Sequence, residues 1–250
     1  MRNSIRNTVK QIVEFFGGKD CLTNFKKNRE ISNLKKYGSE ALSAYYKVGN
    51  TLNIDFIPMF GTLLGAYREN GFIPYDDDID MSINISSLNN KLLEELRKNG
   101  FHFDSIFVGS NFIGCQLPMK YKGITCDIYF SYPDKNGITH IPIPLALQNH
   151  DWSYSSSLNL YRSKDVTIPS PNRYETCKFN DIEIKIPENS EEILTILYGT
   201  DFMTPQKGFH ADPNVYQVPI YEHFYKCYPL DFVLENNLIS VIEEKAKKNV

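Results

Sequence analysis

The chain has 250 residues, and its 27 Lys and Arg against 30 Asp and Glu give a formal net charge of −3. Hydrophobic residues at 42% and charged residues at 23% are ordinary globular values, which exclude a mainly disordered, collagen-like or coiled-coil chain. The charge balance also lacks the basic excess of a nucleic-acid binder, so we expect no nucleic-acid partner.

The first 17 residues are predicted to form an amphipathic helix, with Ile5, Val9, Ile12, Val13 and Phe16 on one face. Packing of this face on the domain is the favoured interpretation. Because Arg and Lys flank the face, an anchor lying on the inner face of an anionic membrane is the alternative, which gives a possible peripheral membrane contact.

The next segments alternate between helical and extended patterns. We expect a loop over 18–30, a helix over 32–53, a buried strand over 54–60 and a short helix that ends near Gly71. Alternation over 77–85 and 124–130 predicts two half-buried strands, separated by a helix with its apolar positions at 88–96. Residues 131–180 are predicted to be loops and short strands, 178–187 a hairpin, and 189–198 and 231–248 helices.

This order of elements predicts an α+β fold, in which one mixed β-sheet is flanked by helices. The five cysteines are odd in number and form no Cys-x-x-Cys pair, so we interpret them as reduced thiols rather than disulfides or zinc ligands. No run of 18 apolar residues and no signal-peptide pattern occur, so the predicted location is cytoplasmic.

Asp76, Asp77, Asp78 and Asp80 form the most informative cluster in the chain. Four carboxylates in five residues repel one another and need a cation or several donors nearby. The period of a strand puts Asp76, Asp78 and Asp80 on one face and Asp77 on the other, so Asp77 ranks last. Oxygen ligands of this kind suit Mg²⁺ or Mn²⁺. A solvated acidic turn is the alternative, but the interleaved Ile and Met residues indicate a strand with a core-facing side.

The segment FGTLLGAYR at 60–68 places a glycine turn just before this acidic strand. Backbone N–H groups at the start of the short helix can bind a phosphate, which Gly61 would allow to approach closely. The Thr62 hydroxyl can add a hydrogen bond, and Arg68 can bind phosphate with two donors. Alone, the segment is more simply a tight turn, but beside the acidic strand it predicts a phosphate site facing a metal site.

Together these segments resemble a known family. GTLLGAYRENGFIPYDDDID (61–80) is similar to the LicD-type proteins, phosphocholine transferases of bacterial surface glycans that are related to the fukutin group within the nucleotidyltransferase superfamily. CDIYF (126–130) places Asp127 where the superfamily has its third carboxylate, and DIEIKIPENSEEILTILYGTDFMTP (181–205) resembles the family's tail motif. Tyr75 departs from the pattern, since the family commonly has Trp before the acidic run.

The resemblance implies a nucleotidyltransferase-like sheet, to which we expect helices to be added at both ends. It implies a transfer reaction that depends on Mg²⁺ or Mn²⁺ and moves phosphocholine, or ribitol or glycerol phosphate, from a CDP-activated donor. The implied acceptor is a hydroxyl of a glycan such as lipopolysaccharide or capsule polysaccharide, and the implied product is CMP. The implied metal ligands are Asp78, Asp80 and Asp127, and Asp76 is either a further ligand or a residue that orients Arg68. Asp127 is also a candidate base. Gly61, Thr62 and Arg68 would bind the phosphates, Arg68 neutralising the transferred group.

We expect one LicD-like catalytic domain over 1–250. Its parts are an N-terminal helical part (1–53), a catalytic core (54–130), a substrate-binding insert with the tail motif (131–205) and a C-terminal helical part (206–250).

Two other functions stay open: nucleotidyl transfer from an NTP, and a non-catalytic module that binds a glycan or nucleotide. The alcohol is also open, because Trp152, Tyr154 and Tyr129 suit a choline cation whereas the Ser and Asn of 131–177 suit a polyol. Lys207 and His210 follow the tail motif and are weaker donor-site candidates.

Overall fold

The computed structural model describes residues 18–110, 112, 115–147, 150–205, 216–217 and 224–249, with side chains left undescribed at 18–24, 115, 216–217 and 246–249. The predicted helix over residues 1–17 lies outside this part of the chain, as do Lys207 and His210.

The described residues form seven α-helices and eleven strands. The helices are α1 (Gly18–Leu52), α2 (Phe60–Glu69), α3 (Asn90–Lys98), α4 (Trp152–Leu158), α5 (Ser190–Tyr198), α6 (Leu230–Glu235) and α7 (Leu238–Asn249), with a 3₁₀ turn at Ile85–Ser87. The strands are β1 (Ile57–Pro58), β2 (Asp78–Asn84), β3 (Ser105–Gly109), β4 (Cys115–Tyr121), β5 (Ile124–Pro133), β6 (Ile138–Leu145), β7 (Tyr161–Pro169), β8 (Tyr174–Phe179), β9 (Ile182–Pro187), β10 (Tyr216–Gln217) and β11 (Phe224–Pro229).

Nine of these strands form one mixed sheet, with the order β1–β2–β5–β4–β3–β11–β7–β10 and with β6 paired to both β5 and β7. Strands β8 and β9 form a separate hairpin. Within the nine, β2 and β5 are parallel and the other described pairs are antiparallel. The predicted α+β class and mixed sheet are therefore confirmed. The pairing also closes through β5, β4, β3, β11, β7 and β6 back to β5, a six-stranded ring that the sequence analysis did not predict.

The core lies between the sheet and the first helices. One stripe of α1 is buried, and each of its members has another member three, four or seven residues away, as a helix face requires. The members are Leu34, Ala41, Leu42, Tyr45 and Val48. Helix α1 packs on β5, β2 and α3, and α2 packs on β2 and α5. The helices thus fix the position of the parallel strands that carry the acidic residues.

Several predicted elements were wrong in extent. The loop expected over 18–30 is part of α1, because its exposed start continues the helix that is packed over 34–48, and extending an existing helix needs no new nucleus. The expected strand over 54–60 is reduced to Ile57–Pro58. The region 131–180, expected to be loops and short strands, contains β6 and β7, which pair over eight residues. The last helix is two helices, since Asn237 adopts a φ of 53°.

The hairpin turn at Asn180 and the helix over 190–198 were predicted correctly. The described cysteine side chains, Cys126, Cys177 and Cys227, are free thiols, as expected. None of the helices in the described part of the chain is long and apolar enough to cross a membrane.

Candidate active site

A cavity of about 870 Å³ opens beside the parallel strands β2 and β5. The carboxylates of the acidic run and of β5 all line it; they are Asp76, Asp77, Asp78, Asp80 and Asp127. Gly61 and Arg68 of α2 line it as well. The structure therefore brings the predicted phosphate-binding helix and the predicted metal ligands to one place.

The acidic run is only partly on a strand. Strand β2 begins at Asp78, so Asp76 and Asp77 belong to the turn before it. Only Asp78 and Asp80 therefore lie on one face of the strand, as the alternating pattern predicts. One carboxylate oxygen from each of Asp76, Asp77 and Asp78 lies within 4.8 Å of the others. Across the described residues, this is the one trio of potential metal ligands that comes so close. Asp77, which the sequence analysis ranked last, thus belongs to the site.

Asp80 and Asp127 face each other across the parallel pair, where the strand register makes them direct neighbours. Gln116 of β4 donates a hydrogen bond from Nε2 to Asp127 Oδ2 at 2.9 Å. Asp127 Oδ1 is buried and has no partner, and the same is true of Asp76 Oδ2. Buried polar atoms normally have a hydrogen-bond partner, so two orphaned carboxylate oxygens in one cavity indicate a place for a bound cation or ligand.

The electrostatics of these carboxylates also indicate a place for a bound cation. Burial, reinforced by the charge of Asp78, raises the pKa of Asp76 to about 8 and that of Asp127 to about 7. Burial and the neighbouring carboxylates also raise the pKa of Asp80 well above its usual value. The pKa of Asp78 is raised mainly by burial and Asp77, while the ammonium group of Lys27 acts in the opposite direction. The cluster therefore holds its negative charge at a cost that a cation would remove.

The start of α2 lies in close contact with these carboxylates. A Cβ atom on Gly61 would lie 2.7 Å from Asp76 Oδ2, so only glycine leaves room for that carboxylate. Phe60, which precedes it, adopts a φ of 47°, a strained value of the kind found at functional sites. Thr62 is only 1% exposed, and its hydroxyl accepts a hydrogen bond of 2.9 Å from the Asp80 N–H. The structure thus gives Thr62 a different partner from the predicted phosphate.

Arg68 links α2 to the tail motif. Its side chain is 6% exposed, with Nε paired to Glu69 at 2.8 Å and Nη1 donating to the Phe202 carbonyl at 2.9 Å. Its Nη2 is buried without a partner. Tyr198, Phe202 and Thr204 of the tail motif line the cavity. The carbonyl of Phe202 thus holds the guanidinium in place, and its Nη2 group keeps its N–H donors for a ligand.

Comparison with known proteins identifies the family of this chain. Residues 53–189, more than half of the chain, match the family model described as LicD/FKTN/FKRP, nucleotidyltransferase domain. The chain belongs to this family. The resemblance found in its sequence is thereby confirmed.

Relatives of this LicD/FKTN/FKRP family member include ribitol-5-phosphate transferase FKTN of Macaca fascicularis, 23% identical over 194 residues that cover 74% of this chain and 38% of the relative. The human protein of that name is 22% identical over 189 residues, 72% of this chain and 37% of its own length. An uncharacterized protein of Rickettsia typhi, RT0683, is 28% identical over 113 residues, 41% of this chain and 33% of the relative. The matches thus span well under half the length of these relatives.

Several polar residues that line the cavity of this LicD/FKTN/FKRP member were not predicted from the sequence, Lys27 and Gln116 among them. Lys27 lies on α1, in the segment expected to be a loop, and Gln116 lies on β4, where no pattern marked it. Continuing the apolar spacing of α1 backwards from Leu34 would have reached Ile31 and Lys27. Of the aromatic candidates, Tyr129 and Trp152 line the cavity, whereas Tyr154 stacks on His150 with 4.0 Å between ring centroids.

Proposed function

We propose that this chain is a CDP-alcohol-dependent phosphotransferase, which moves an alcohol phosphate from a CDP-activated donor to a hydroxyl of a glycan and releases CMP. The observation that carries the proposal is the cavity itself, which is lined by six carboxylates and by Arg68, and in which two carboxylate oxygens and the Arg68 Nη2 group are buried without a partner. The family match supports it, and so do the relatives named ribitol-5-phosphate transferase.

The residues present fit Mg²⁺ or Mn²⁺, because every potential ligand of the cluster is a carboxylate oxygen and one of them, Asp76 Oδ2, is buried without a partner. Asp76, Asp77 and Asp78 would hold the ion, with Asp80 completing the ligand set. When bound, Mg²⁺ neutralises a diphosphate and stabilises the charge that develops on the leaving group.

The chain's own side chains supply the remaining parts of the reaction. Arg68 Nη2 would donate to an oxygen of the transferred phosphate. Asp127 is held through Oδ2 by Gln116, and we assign its free Oδ1 to accept the proton of the attacking hydroxyl. The hydroxyl oxygen forms a bond to the phosphorus that carries the alcohol, the bond from that phosphorus to CMP breaks, and CMP leaves with the electron pair. Ligation of a metal by Asp127 remains a prediction from the sequence.

Release of CMP tests the proposal. The protein would be incubated in turn with CDP-ribitol, CDP-glycerol, CDP-choline and CDP-ethanolamine, with Mg²⁺ or EDTA and with a mixed pool of glycan acceptors. Asp78→Asn is the site variant, and Asp104→Asn, which changes an exposed residue, is the matched control. We expect Mg²⁺-dependent CMP from one donor, lost in Asp78→Asn and kept in Asp104→Asn.

Other outcomes would replace the proposal. Pyrophosphate released from an NTP, with no CMP from any donor, would identify a nucleotidyltransferase. Absence of both products together with unchanged glycan or nucleotide binding in Asp78→Asn would identify a non-catalytic module. The predicted cytoplasmic location and membrane contact are separate expectations that this assay does not address.

A further inference from the structure

Helix α1 extends past the core and over the mouth of the cavity. Its buried stripe includes Leu34, and the same face continues backwards to Ile31 and Lys27, which lie three and seven residues earlier. Both residues line the cavity. Lys27 therefore occupies a position of the core-facing stripe that, two turns before Leu34, lines the cavity instead of packing on apolar side chains.

We propose that Lys27 binds a phosphate of the donor at the mouth of the cavity, as a second cation besides Arg68. The inference rests on the proposed function for the identity of the donor, and it adds a substrate-binding residue to that site. The ligand chemistry that it requires is a diphosphate ester, which an ammonium group binds as a point charge.

The charges of the cavity favour a phosphate as the ligand of Lys27. Two of the described residues that line it are cations, Lys27 and Arg68, against six carboxylates, which are those of the acidic run, Asp127 and Asp201. Arg68 is nearly buried and fixed by two partners, whereas Lys27 is exposed and none of the hydrogen bonds and ion pairs found in the described chain involves it. A diphosphate drawn towards a metal at the carboxylates would expose its outer oxygens, and Lys27 is the exposed cation that lies within the same cavity.

Contacts with β4 and β5 hold the Lys27 segment in place. Glu30, one turn after Lys27, pairs with Lys120 at 2.9 Å and accepts a hydrogen bond from the Thr125 hydroxyl at 3.3 Å. Thr125 is the register neighbour of Asp78 on the parallel strand. The first acidic residue of β2 and the end of α1 are thereby tied to the same point of the sheet, which sets Lys27 beside Asp78.

The experiment measures binding of pyrophosphate and of CDP, each with Mg²⁺, by isothermal titration calorimetry. Trp152 fluorescence provides a second readout, because Trp152 lines the cavity and is the sole tryptophan of the chain. The variants are Lys27→Gln, Lys27→Arg and the matched control Lys26→Gln, which changes an exposed neighbour outside the cavity lining. We expect Lys27→Gln to weaken both ligands about tenfold, Lys27→Arg to restore most of the affinity, and Lys26→Gln to change little.

Equal affinities in Lys27→Gln and Lys26→Gln would overturn this role for Lys27 and leave the proposed function standing. Absence of binding of both ligands to the unchanged protein would also overturn it. Lys27-dependent binding of pyrophosphate in a protein that releases no CMP from any donor would support the phosphate site and reject the proposed function.

Discussion

Replacing Asp127 with Asn should stabilise the metal-free protein at alkaline pH, although it should abolish transfer. The carboxylate of Asp127 is buried beside Asp78 and Asp80, with one oxygen bound by Gln116 and the other without a partner. An ionised carboxylate in such a place costs free energy that a neutral amide of the same shape does not.

The magnitude follows from the pKa. Burial and Asp78 raise the pKa of Asp127 to about 7 from 3.8. Because the folded-state pKa is the higher one, the protonated group stabilises the fold fully below pH ~3.8, and this contribution is lost as the pH rises through about 7. At pH 8 the difference corresponds to roughly 4 kcal/mol, at ~1.36 kcal/mol for each unit of pKa. An amide N–H without a partner would offset about 1–3 kcal/mol, which leaves a net gain of about 2 kcal/mol.

The assay is thermal unfolding in EDTA at pH 5 and pH 8, with Asp104→Asn as the exposed control. A gain of about 2 kcal/mol raises the Tm of a chain of this size by ~4–8 °C. We expect this rise at pH 8, a much smaller one at pH 5, and neither in the control. Addition of Mg²⁺ should stabilise the unchanged protein more than Asp127→Asn. A lower or equal Tm for Asp127→Asn in EDTA at pH 8 would refute the reasoning that this carboxylate is electrostatically strained.

Three further substitutions distinguish a residue needed for activity from residues that stabilise the fold around the site. Gly61→Ala should cut CMP release at least tenfold with little change in Tm, since its Cβ would displace the Asp76 carboxylate and alanine favours the helix by up to about 1 kcal/mol. Gly65→Ala should instead lower the Tm, because its Cβ would meet a backbone carbonyl at 2.5 Å; a stable, active variant would contradict this contact. Thr62→Val should cost about 1–3 kcal/mol in urea unfolding by leaving the Asp80 N–H without its partner, whereas Thr62→Ser, which keeps the hydroxyl, should cost less.

For two residues, the partner of the side chain differs from the one predicted from the local sequence pattern. Asp77 was ranked last because an ideal strand points it away from Asp76 and Asp78, but the strand begins only at Asp78 and the turn brings the three carboxylates together. Thr62 was predicted to bind phosphate, yet its buried hydroxyl accepts a hydrogen bond from the backbone N–H of Asp80. In both cases the partner of the side chain depends on where the element starts and on what packs against it, and the local sequence pattern specifies neither.

The sequence by itself determined the features that depend on short-range periodicity. The alternation of the β2 and β5 segments, the glycine turn before α2 and the density of carboxylates are readable because side-chain direction repeats every two or every 3.6 residues. These patterns were sufficient to predict the α+β class, and together with the tail motif they led to the family.

Only the tertiary structure decided which distant residues meet. The parallel register of β2 and β5 sets Asp80 opposite Asp127, and the bond from Arg68 to Phe202 joins residues 134 positions apart. The closing of six strands into a ring and the reach of α1 over the cavity, which brings Lys27 to the acidic cluster, are likewise settled by packing. Such contacts have no local signal, because the free energy that selects them comes from burial and charge pairing between elements far apart in the chain.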